Sequence, residues 1–480
     1  MRDASTKIQG NLSRRAVLKG GLFGSLAAGL APSLLLGGCS RRSRRPHVIL
    51  ITLDTTRADH LSCYGYARHT SPHLDRVAAE SVLYEKATAP SSWTLPSHAA
   101  LFTGRFTASH GARYDPEGPL RLDRAIDAPA SWEVFRARGL SPEEPTLAQL
   151  LGQAGYATGA VLGGPWMKKI FGLNKGFDFY DDSSISSVSG RLAPEITRSA
   201  LRWIGAREEK PLFLFLNYYD PHSPYNPPER FARTFVPAGP DLRGRTVTLE
   251  ERVALYDGEI LYMDRYIGRL FKELKALGLY DDALVVITAD HGELLGEHGR
   301  FGHGNYLHQE EIHVPLFVKY PAGEVGPART DASVQLVDVM ALLFERLDLP
   351  LPEGVQAGRP PDLGHPVAAE AYPLPALSSD GHWRALLEGR RKLLWNSLGN
   401  HQLFDLEKDP GEEENLFASQ PRRAEAMMGR LNRFLEGLPA PDPAGPVGRV
   451  DMGTGSPLTS APGRLTVRAC PSPAKGWGES

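Results

Sequence analysis

Ionisable side chains follow two apolar segments of the chain at the points where those segments end. Asp54 comes directly after the apolar run 47–53, and Asp290 and His291 come directly after the run 283–289. Either aspartate alone is equally typical of a helix cap. Together, two carboxylates and an imidazole are oxygen and nitrogen ligands that divalent cations take in proteins. The two segments therefore predict a metal site formed by Asp54, Asp290 and His291.

Thr94 lies between these segments in the chain and has the position of a nucleophile. Pro96 suits the first turn of a helix over residues 96–103, so we expect Thr94 just ahead of the helix N-terminus, where backbone N–H groups favour negative charge. A hydroxyl held there beside a metal ion loses its proton more easily and becomes nucleophilic. Threonine is also a common helix cap. The aspartates that end the apolar segments before and after Thr94 favour the catalytic role.

The elements that must position these side chains alternate along the chain. Continuous apolar runs, typical of strands buried on both faces, lie at residues 47–53, 212–216, 283–289 and 314–319. Helical patterns lie between them, at residues 72–80, 96–103, 146–154, 193–206, 249–277 and 336–347. This alternation predicts an α/β fold with a mostly parallel sheet covered by helices. Ligands bind beyond the carboxyl ends of such strands, where Asp54 and Asp290 lie.

A smaller unit is predicted after the Pro/Gly-rich stretch 350–366. Its strand patterns lie at residues 367–371, 383–387, 391–395 and 402–405, and the short turns between them indicate an antiparallel sheet. We therefore predict a catalytic α/β domain over residues 46–350 and an α+β subdomain over 365–437. Residues 438–480 are rich in Pro, Gly and Ser, which predicts a disordered tail.

Composition excludes several classes of protein. The 480 residues are 41% hydrophobic and 23% charged, which suits large folded domains and excludes a disordered chain. Lys and Arg number 54 against 56 Asp and Glu, so no basic excess attracts nucleic acid. The three cysteines are too few for a disulfide framework and lack the spacing of a zinc site. Any metal must be held by histidines and carboxylates.

The first 45 residues are typical of an export signal. Arg14 and Arg15 form a twin-arginine pair ahead of the uncharged run 20–38, whose glycines and proline disfavour a membrane-spanning helix. Cys39 closes the run in a segment that resembles a lipobox, in which the cysteine is lipidated. We therefore expect the twin-arginine export machinery as a partner and a periplasmic or cell-envelope lipoprotein, tethered to the membrane by its lipid anchor.

Five sequence motifs follow one another between residues 46 and 437. They are the strand ending in Asp54, Thr94-Leu95-Pro96-Ser97 leading to Leu101-Phe102-Thr103-Gly104-Arg105, Asp220-Pro221-His222, Asp290-His291-Gly292-Glu293, and Leu403-Phe404-Asp405 leading to Asp409-Pro410-Gly411-Glu412. With these motifs the chain resembles the sulfatase family of the alkaline phosphatase superfamily. The resemblance implies a large mixed, mostly parallel sheet sandwiched by helices, with Asp54, Asp290 and His291 around the cation. It also implies that His222 faces the leaving group or the transferred oxyanion, and that Arg105 either contacts substrate or supports its loop.

The chain departs from the sulfatase pattern at the nucleophile. In the best-known sulfatases a Cys or Ser in a Cys/Ser-x-Pro-x-Arg segment is oxidised to formylglycine, whereas Thr94 cannot become an aldehyde by that route. His98 replaces the arginine of that segment and is a candidate substrate contact. With threonine in this position, the chain is also similar to lipoteichoic acid synthase and phosphoethanolamine transferases.

Two cationic positions of the family are also changed. The Lys-x-His pair expected after the strand 158–162 is replaced by Gly163 and Gly164. His303 stands in place of the lysine that commonly follows the Asp-His-Gly motif. It is a candidate general acid or oxyanion donor, with an ordinary loop histidine as the alternative.

These features predict an exported, metal-dependent sulfatase-family hydrolase that cleaves sulfuric or phosphoric esters, with Thr94 at the nucleophile position. Its substrate is a small-molecule, glycan or lipid ester. The alternatives are a phosphotransferase acting on envelope lipid or glycan, and a non-catalytic metal-binding family member. His291 stands where many sulfatases have Asn, and its nitrogen favours Mn²⁺, Zn²⁺ or Mg²⁺, with Ca²⁺ as the alternative that the family suggests.

Overall fold

The structure is a computed structural model, and it describes residues 45–207, 209–236, 247–373, 378 and 380–441. The predicted export signal and lipobox lie outside the described residues except for Arg45, and so does the predicted tail beyond residue 441. In the described part of the chain, no helix is both long and apolar enough to cross a membrane.

Seventeen strands and ten α-helices form in the described residues. The strands are β1 (Val48–Leu53), β2 (Val82–Thr88), β3 (Arg113–Tyr114), β4 (Leu120–Arg121), β5 (Arg136–Arg138), β6 (Ala157–Val161), β7 (Phe179–Asp181), β8 (Leu212–Tyr218), β9 (Leu284–Thr288), β10 (Leu294–Leu295), β11 (Phe301–Gly302), β12 (His313–Lys319), β13 (Ala328–Gln335), β14 (Val367–Ala371), β15 (Trp383–Glu388), β16 (Arg391–Asn396) and β17 (Gln402–Asp405). The helices are α1 (Pro72–Ala78), α2 (Thr94–Thr103), α3 (Thr107–His110), α4 (Leu147–Gln153), α5 (Ala193–Ala206), α6 (Glu229–Phe235), α7 (Leu249–Ala276), α8 (Gln309–Ile312), α9 (Val339–Leu347) and α10 (Pro421–Glu436).

The large sheet has eight strands in the order β13-β2-β12-β9-β1-β8-β6-β7. Strand β12 is antiparallel to both of its neighbours, and every other pair is parallel. All residues of β1, β8 and β9 are buried, and because successive side chains point to opposite faces, both faces of the sheet are covered. The predicted large mixed, mostly parallel sheet sandwiched by helices is confirmed.

The predicted small antiparallel sheet is also present, in the order β14-β15-β16-β17. Helix α10 packs on it through Ala424, Met427 and Leu431, which contact Leu386 and Leu393 in a small apolar cluster. The sequence analysis did not predict α10, because its other positions are mostly polar and its buried stripe is narrow.

Three strands of the large sheet were also missed, β2, β13 and the three-residue edge strand β7. Strand β2 is only partly apolar, and β13 is an edge strand whose first six residues are exposed or half-buried. An edge strand needs no continuous apolar run, so hydrophobic pattern does not reveal it.

Candidate active site

The register of the central strands brings the two predicted aspartates to one edge of the sheet. Thr52 of β1 pairs with Thr288 of β9 on one side and with Asn217 of β8 on the other. Asp54 and Asp290 follow the paired threonines by two residues each. Since β1 and β9 are parallel, both carboxylates leave the sheet at the same level.

Both carboxylates are fully buried and only partly satisfied by the protein. Asp54 Oδ2 accepts a hydrogen bond from Asn217 Nδ2 at 3.2 Å, and Asp290 Oδ1 accepts from the backbone N–H of His291 at 3.0 Å and of Thr55 at 3.3 Å. Asp54 Oδ1 and Asp290 Oδ2 have no hydrogen-bond partner. Burial raises the pKa of both carboxyl groups, and the charge of Asp290 raises that of Asp54 further. A cation between two carboxylates buried this close together would stabilise their charged forms.

His291 completes a ligand group with the two aspartates. One ligand atom from each of Asp54, Asp290 and His291 lies within 4.8 Å of the other two. The Nδ1 atom of His291 donates to the carbonyl oxygen of Gly292 at 2.9 Å, which leaves Nε2 without a hydrogen and directed into the site. Burial, with the neighbouring His303, lowers the pKa of His291 well below its ordinary value, so the ring is neutral. The donor set fits a divalent cation, the group that sulfatases typically bind.

Thr94 lies against this ligand group. Its Oγ1 is 3.2 Å from His291 Nε2, and its side chain is almost completely buried. The helix that carries Thr94 begins at Thr94 itself, two residues earlier than the sequence predicted. Pro96 is tolerated in this first turn because the first N–H groups of a helix have no partner within it.

His98 and Ser97 hold the first turn of α2 against the sheet. Ser97 Oγ donates to the carbonyl oxygen of Asp290 at 2.6 Å. His98 is fully buried, with Nδ1 bonded to the carbonyl oxygen of Thr94 at 2.8 Å and Nε2 to Thr52 Oγ1 at 3.0 Å. His98 Nδ1 also lies 3.5 Å from Asp290 Oδ2. The structure thus places His98 beneath the carboxylates, where its polar contacts are with the protein.

Two more predicted histidines lie beside His291. The ring centre of His303 is 4.6 Å from that of His291 and 4.9 Å from that of His222. His222 Nδ1 donates to the carbonyl oxygen of Ser223 at 2.7 Å. Burial, together with the neighbouring His303, lowers the pKa of His222 to about 3, which keeps this ring neutral.

Glu293 orients His303 and was given no role by the sequence analysis. Its Oε1 accepts from His303 Nδ1 at 3.0 Å, and its Oε2 accepts from the hydroxyl of Tyr225 at 2.5 Å. Burial raises the pKa of Glu293, but the hydrogen bond and the charge of His303 and the bond from Tyr225 outweigh it and lower the pKa. Glu293 is therefore a buried carboxylate beside an imidazole. Its place in the Asp-His-Gly-Glu motif was the available signal.

Arg105 lies at the other end of α2. Its Nη1 donates to Glu144 Oε2 at 2.6 Å, so the guanidinium joins the end of α2 to the segment before α4. This contact corresponds to the supporting role among the two that the resemblance allowed.

Glycines and aromatic rings occupy the position of the missing Lys-x-His pair. The backbone N–H groups of Gly163 and Gly164 both donate to Asn217 Oδ1, at 3.2 and 2.9 Å. A Cβ on Gly164 would lie 3.0 Å from the ring of Tyr219, so a side chain there would crowd it. Trp166 follows and packs edge-on against Trp93, with ring centres 4.6 Å apart.

The fold and these motifs define a member of the alkaline phosphatase superfamily. The family model described as Sulfatase matches residues 46–349. The chain belongs to the sulfatase family and is a hydrolase that acts on ester bonds.

Individual relatives are similar over most of their length. N-acetylgalactosamine-6-O-sulfatase from Bacteroides thetaiotaomicron is 24% identical, over 84% of this chain and 96% of the relative. A structure solved in complex with its substrate D-glucosamine-2-N,6-O-disulfate aligns with a TM-score of 0.68 and 20% identity, over 82% of this chain and 98% of the other. Phosphonate monoester hydrolase of Agrobacterium radiobacter aligns with a TM-score of 0.64 and 20% identity, over 81% and 95%. At these identities the solved structures show the fold alone.

Proposed function

We propose that this protein is an exported, metal-dependent hydrolase of sulfuric or phosphoric esters in which Thr94 is the nucleophile. One observation carries the proposal. The Thr94 hydroxyl lies 3.2 Å from His291 Nε2, next to two buried aspartates that each have an oxygen without a partner. A threonine used only for packing has no need of such surroundings.

Asp54, Asp290 and His291 would hold the ion. When bound, a divalent cation supplies positive charge that favours the ionised hydroxyl and the charge developing on the transferred group. The nitrogen ligand favours Mn²⁺ or Zn²⁺ over Ca²⁺, with Mg²⁺ also suited to the carboxylates.

The covalent step proposed for Thr94 forms a bond from Oγ1 to sulfur or phosphorus and breaks the bond to the leaving oxygen. The Thr94 hydroxyl gives its proton to solvent water as it ionises, and protonated His303 donates its own proton to the leaving oxygen. His303 suits this role better than His222 because its Nδ1 is bonded to the buried carboxylate of Glu293, which orients the ring, whereas burial keeps His222 neutral.

Water then cleaves the threonyl ester. The neutral His303 accepts a proton from the attacking water as the new bond forms at sulfur or phosphorus. The bond to Thr94 Oγ1 breaks, and the released Thr94 oxygen takes a proton back from solvent water. Unlike a formylglycine hydrate, threonine has no second hydroxyl with which to expel the group, so this step needs an activated water. Phosphoric esters tolerate this route better than sulfuric esters do.

Sulfuric esters and phosphoric esters each have support as the substrate class. Family membership and the relative named as an N-acetylgalactosamine-6-O-sulfatase favour sulfate esters. The threonine, and a structural neighbour named as a phosphonate monoester hydrolase, favour phosphorus. The lead proposal is ester hydrolysis, and the transferase is the second candidate because Thr94 can also pass its group to an alcohol.

The deciding experiment incubates the purified protein with an aryl sulfate, an aryl phosphate and a bis-aryl phosphodiester, each with Mn²⁺, Zn²⁺, Mg²⁺ or Ca²⁺. We expect metal-dependent release of the aryl alcohol from at least one substrate, which then names the ester class. Added glycerol separates the second candidate, because a transferase yields the glycerol ester instead of free phosphate. Metal binding without turnover of any substrate would contradict the proposal and favour a non-catalytic role.

Export and lipid anchoring rest on the sequence of the first 45 residues. Changing Arg14 and Arg15 together to Lys should leave the precursor in the cytoplasm, because the export machinery reads the pair itself. Cys39→Ser should separately release soluble protein into the exported fraction. Unchanged envelope localisation of the double-lysine variant would contradict the proposed signal.

A further inference from the structure

A second group of metal-ligating side chains lies outside the ligand group around Asp54. Two histidines and two glutamates each offer one ligand atom, all within 4.8 Å of one another: His298, His308, Glu310 and Glu412. We call this group the His/Glu cluster. His298 Nε2 is 3.4 Å from Glu310 Oε2, and His308 Nδ1 is 3.2 Å from Glu412 Oε2. The sequence analysis gave none of the four a role, because Glu412 lies 104 residues beyond His308 in the chain.

The His/Glu cluster is shielded from solvent. The side chains of His308 and Glu412 are 6% and 0% exposed, and those of Glu310 and His298 are 9% and 15% exposed. His298 and Glu412 both have a left-handed backbone, with φ of 54°. That conformation is unfavourable for residues with a side chain, and it persists where the surroundings compensate for it.

The charges and spacing of the His/Glu cluster suit a divalent ion. Two imidazoles and two carboxylates supply nitrogen and oxygen donors, and the carboxylate charge, partly offset by Lys392, attracts a divalent cation. Lys392 Nζ lies 2.7 Å from Glu412 Oε1, so the other oxygen, Oε2, is the one directed at His308. Bonds of about 2 Å from Zn²⁺ place tetrahedral donor atoms about 3.3 Å apart. The separations of 3.2 and 3.4 Å already fit that spacing. The other pairs of ligand atoms are at most 4.8 Å apart, so they must approach each other by at most about 1.5 Å to reach it.

We propose that the His/Glu cluster binds a second divalent transition-metal ion, with Zn²⁺ or Mn²⁺ preferred for its mixed nitrogen and oxygen donors. This site is separate from the ligand group of the proposed function.

The position of the His/Glu cluster indicates that the second ion would stabilise the loop that carries His303. His298 and His308 mark the two ends of a loop, residues 298–308, that carries His303 at its centre. Gly299, Gly302 and Gly304 in this loop have positive φ, and apart from the short strand β11, which pairs with β10, such glycines leave the segment with many accessible conformations. An ion bound at both ends closes the base of the loop and ties it to Glu412 beyond the small sheet. The second ion therefore holds His303 in place for its partner Glu293.

The test uses the full-length protein with Asp54→Asn and Asp290→Asn, which removes the first ligand group and leaves the His/Glu cluster intact. After equilibration with ZnCl₂ and removal of free metal, zinc per chain is measured by mass spectrometry, and hydrogen exchange of residues 298–308 is compared with and without zinc. We expect about one zinc per chain and slower exchange in this loop with zinc. Adding His298→Asn and Glu310→Gln should weaken zinc binding at least about 100-fold. Asparagine tolerates the left-handed backbone of His298, and the two more buried ligands stay in place.

His382→Gln, at an exposed histidine of the small sheet, is the matched control and should keep its zinc. Circular dichroism checks that each variant folds. If the aspartate variant does not fold, the native protein serves instead, and His298→Asn with Glu310→Gln should lower its zinc content by one ion per chain. Absence of zinc from the folded aspartate variant, or zinc binding and exchange that ignore the cluster substitutions, would overturn the second site. Because the first ligand group is absent from this background, neither result depends on the proposed function.

Discussion

Thr94 Oγ1 lies 3.2 Å from Nε2 of His291, although 197 residues separate the two in the chain. Since His291 Nδ1 already donates to Gly292, its Nε2 has no hydrogen and the threonine hydroxyl is the donor between them. The proposed nucleophile and a proposed metal ligand thus share one small, buried space. Ionisation of the Thr94 hydroxyl would therefore depend on the charge of the ion that Asp54, Asp290 and His291 would hold.

Replacement of Thr94 tests the nucleophile directly. Thr94→Ala should lower kcat at least about 10³-fold, because no hydroxyl remains to form the covalent bond. Thr94→Ser keeps the hydroxyl and should retain part of the activity. Steady-state kinetics on an aryl ester measure both, and mass spectrometry of quenched wild-type enzyme should show the transferred group on Thr94. Wild-type turnover by Thr94→Ala would mean that water attacks the ester directly.

Removal of one buried aspartate should separate activity from stability. Asp54→Asn should lower kcat at least about 100-fold, because a ligand for the proposed ion is lost. Without metal, the same change removes repulsion between two buried carboxylates, so the variant should be more stable than the wild type by on the order of 1 kcal/mol at pH 8. Urea denaturation in the presence of a chelator measures this difference. A variant that is clearly less stable than the metal-free wild type would argue against the repulsion.

Glu293 should act through His303. Glu293→Gln should lower kcat about 10-fold to 100-fold with little change in KM, because the carboxylate orients the imidazole. Glu293→Asp keeps a carboxylate and should recover part of the lost kcat, which a packing defect alone would not allow. Tyr225→Phe, which removes only the bond to the other oxygen of Glu293, is the matched control and should have a smaller effect. An unchanged kcat in Glu293→Gln, or a kcat that Glu293→Asp lowers as much as Glu293→Gln does, would contradict the positioning role.

Asp181 should contribute to stability in a way that disappears in acid. Burial raises the pKa of Asp181, but hydrogen bonds from Ser183 and Ser199 and the charge of Arg191 outweigh it and lower the pKa to about 2. A carboxyl group with a depressed folded-state pKa stabilises the protein above its unfolded pKa of 3.8, and the contribution is lost as pH falls towards 2. Asp181→Asn should therefore be less stable than the wild type at pH 6, with a gap that narrows between pH 4 and pH 3 in urea denaturation.

The control for this experiment is Glu117→Gln, which changes an exposed carboxylate. It should leave both the stability and its pH dependence close to those of the wild type. A gap between Asp181→Asn and the wild type that stays constant down to pH 3 would show that the lost contacts, and not the charge, set the difference.

Local sequence pattern was sufficient for the frame of the molecule. Strands β1, β8 and β9 are predictable because a strand buried on both faces must be apolar throughout. Helices such as α5 are predictable from the helical spacing of their apolar residues. The carboxyl edge of the sheet, and therefore Asp54, Asp290 and His291, follows from those strands. Strand β13 and helix α10 were missed because an edge strand and a helix on a small sheet each bury only a narrow stripe.

The relations between side chains were decided by the tertiary structure. Which hydrogen bond Thr94 makes, which carboxylate orients His303, and whether His98 lies above or beneath the aspartates depend on the register of strands that are far apart in the chain. The His/Glu cluster is a stronger case, because Glu412 lies 104 residues beyond His308 and meets it only where the small sheet packs. Hydrophobic periodicity reports which face of an element is buried. It carries no information on the partner that a polar side chain finds there, because that partner is set by distances of about 3 Å between separate elements.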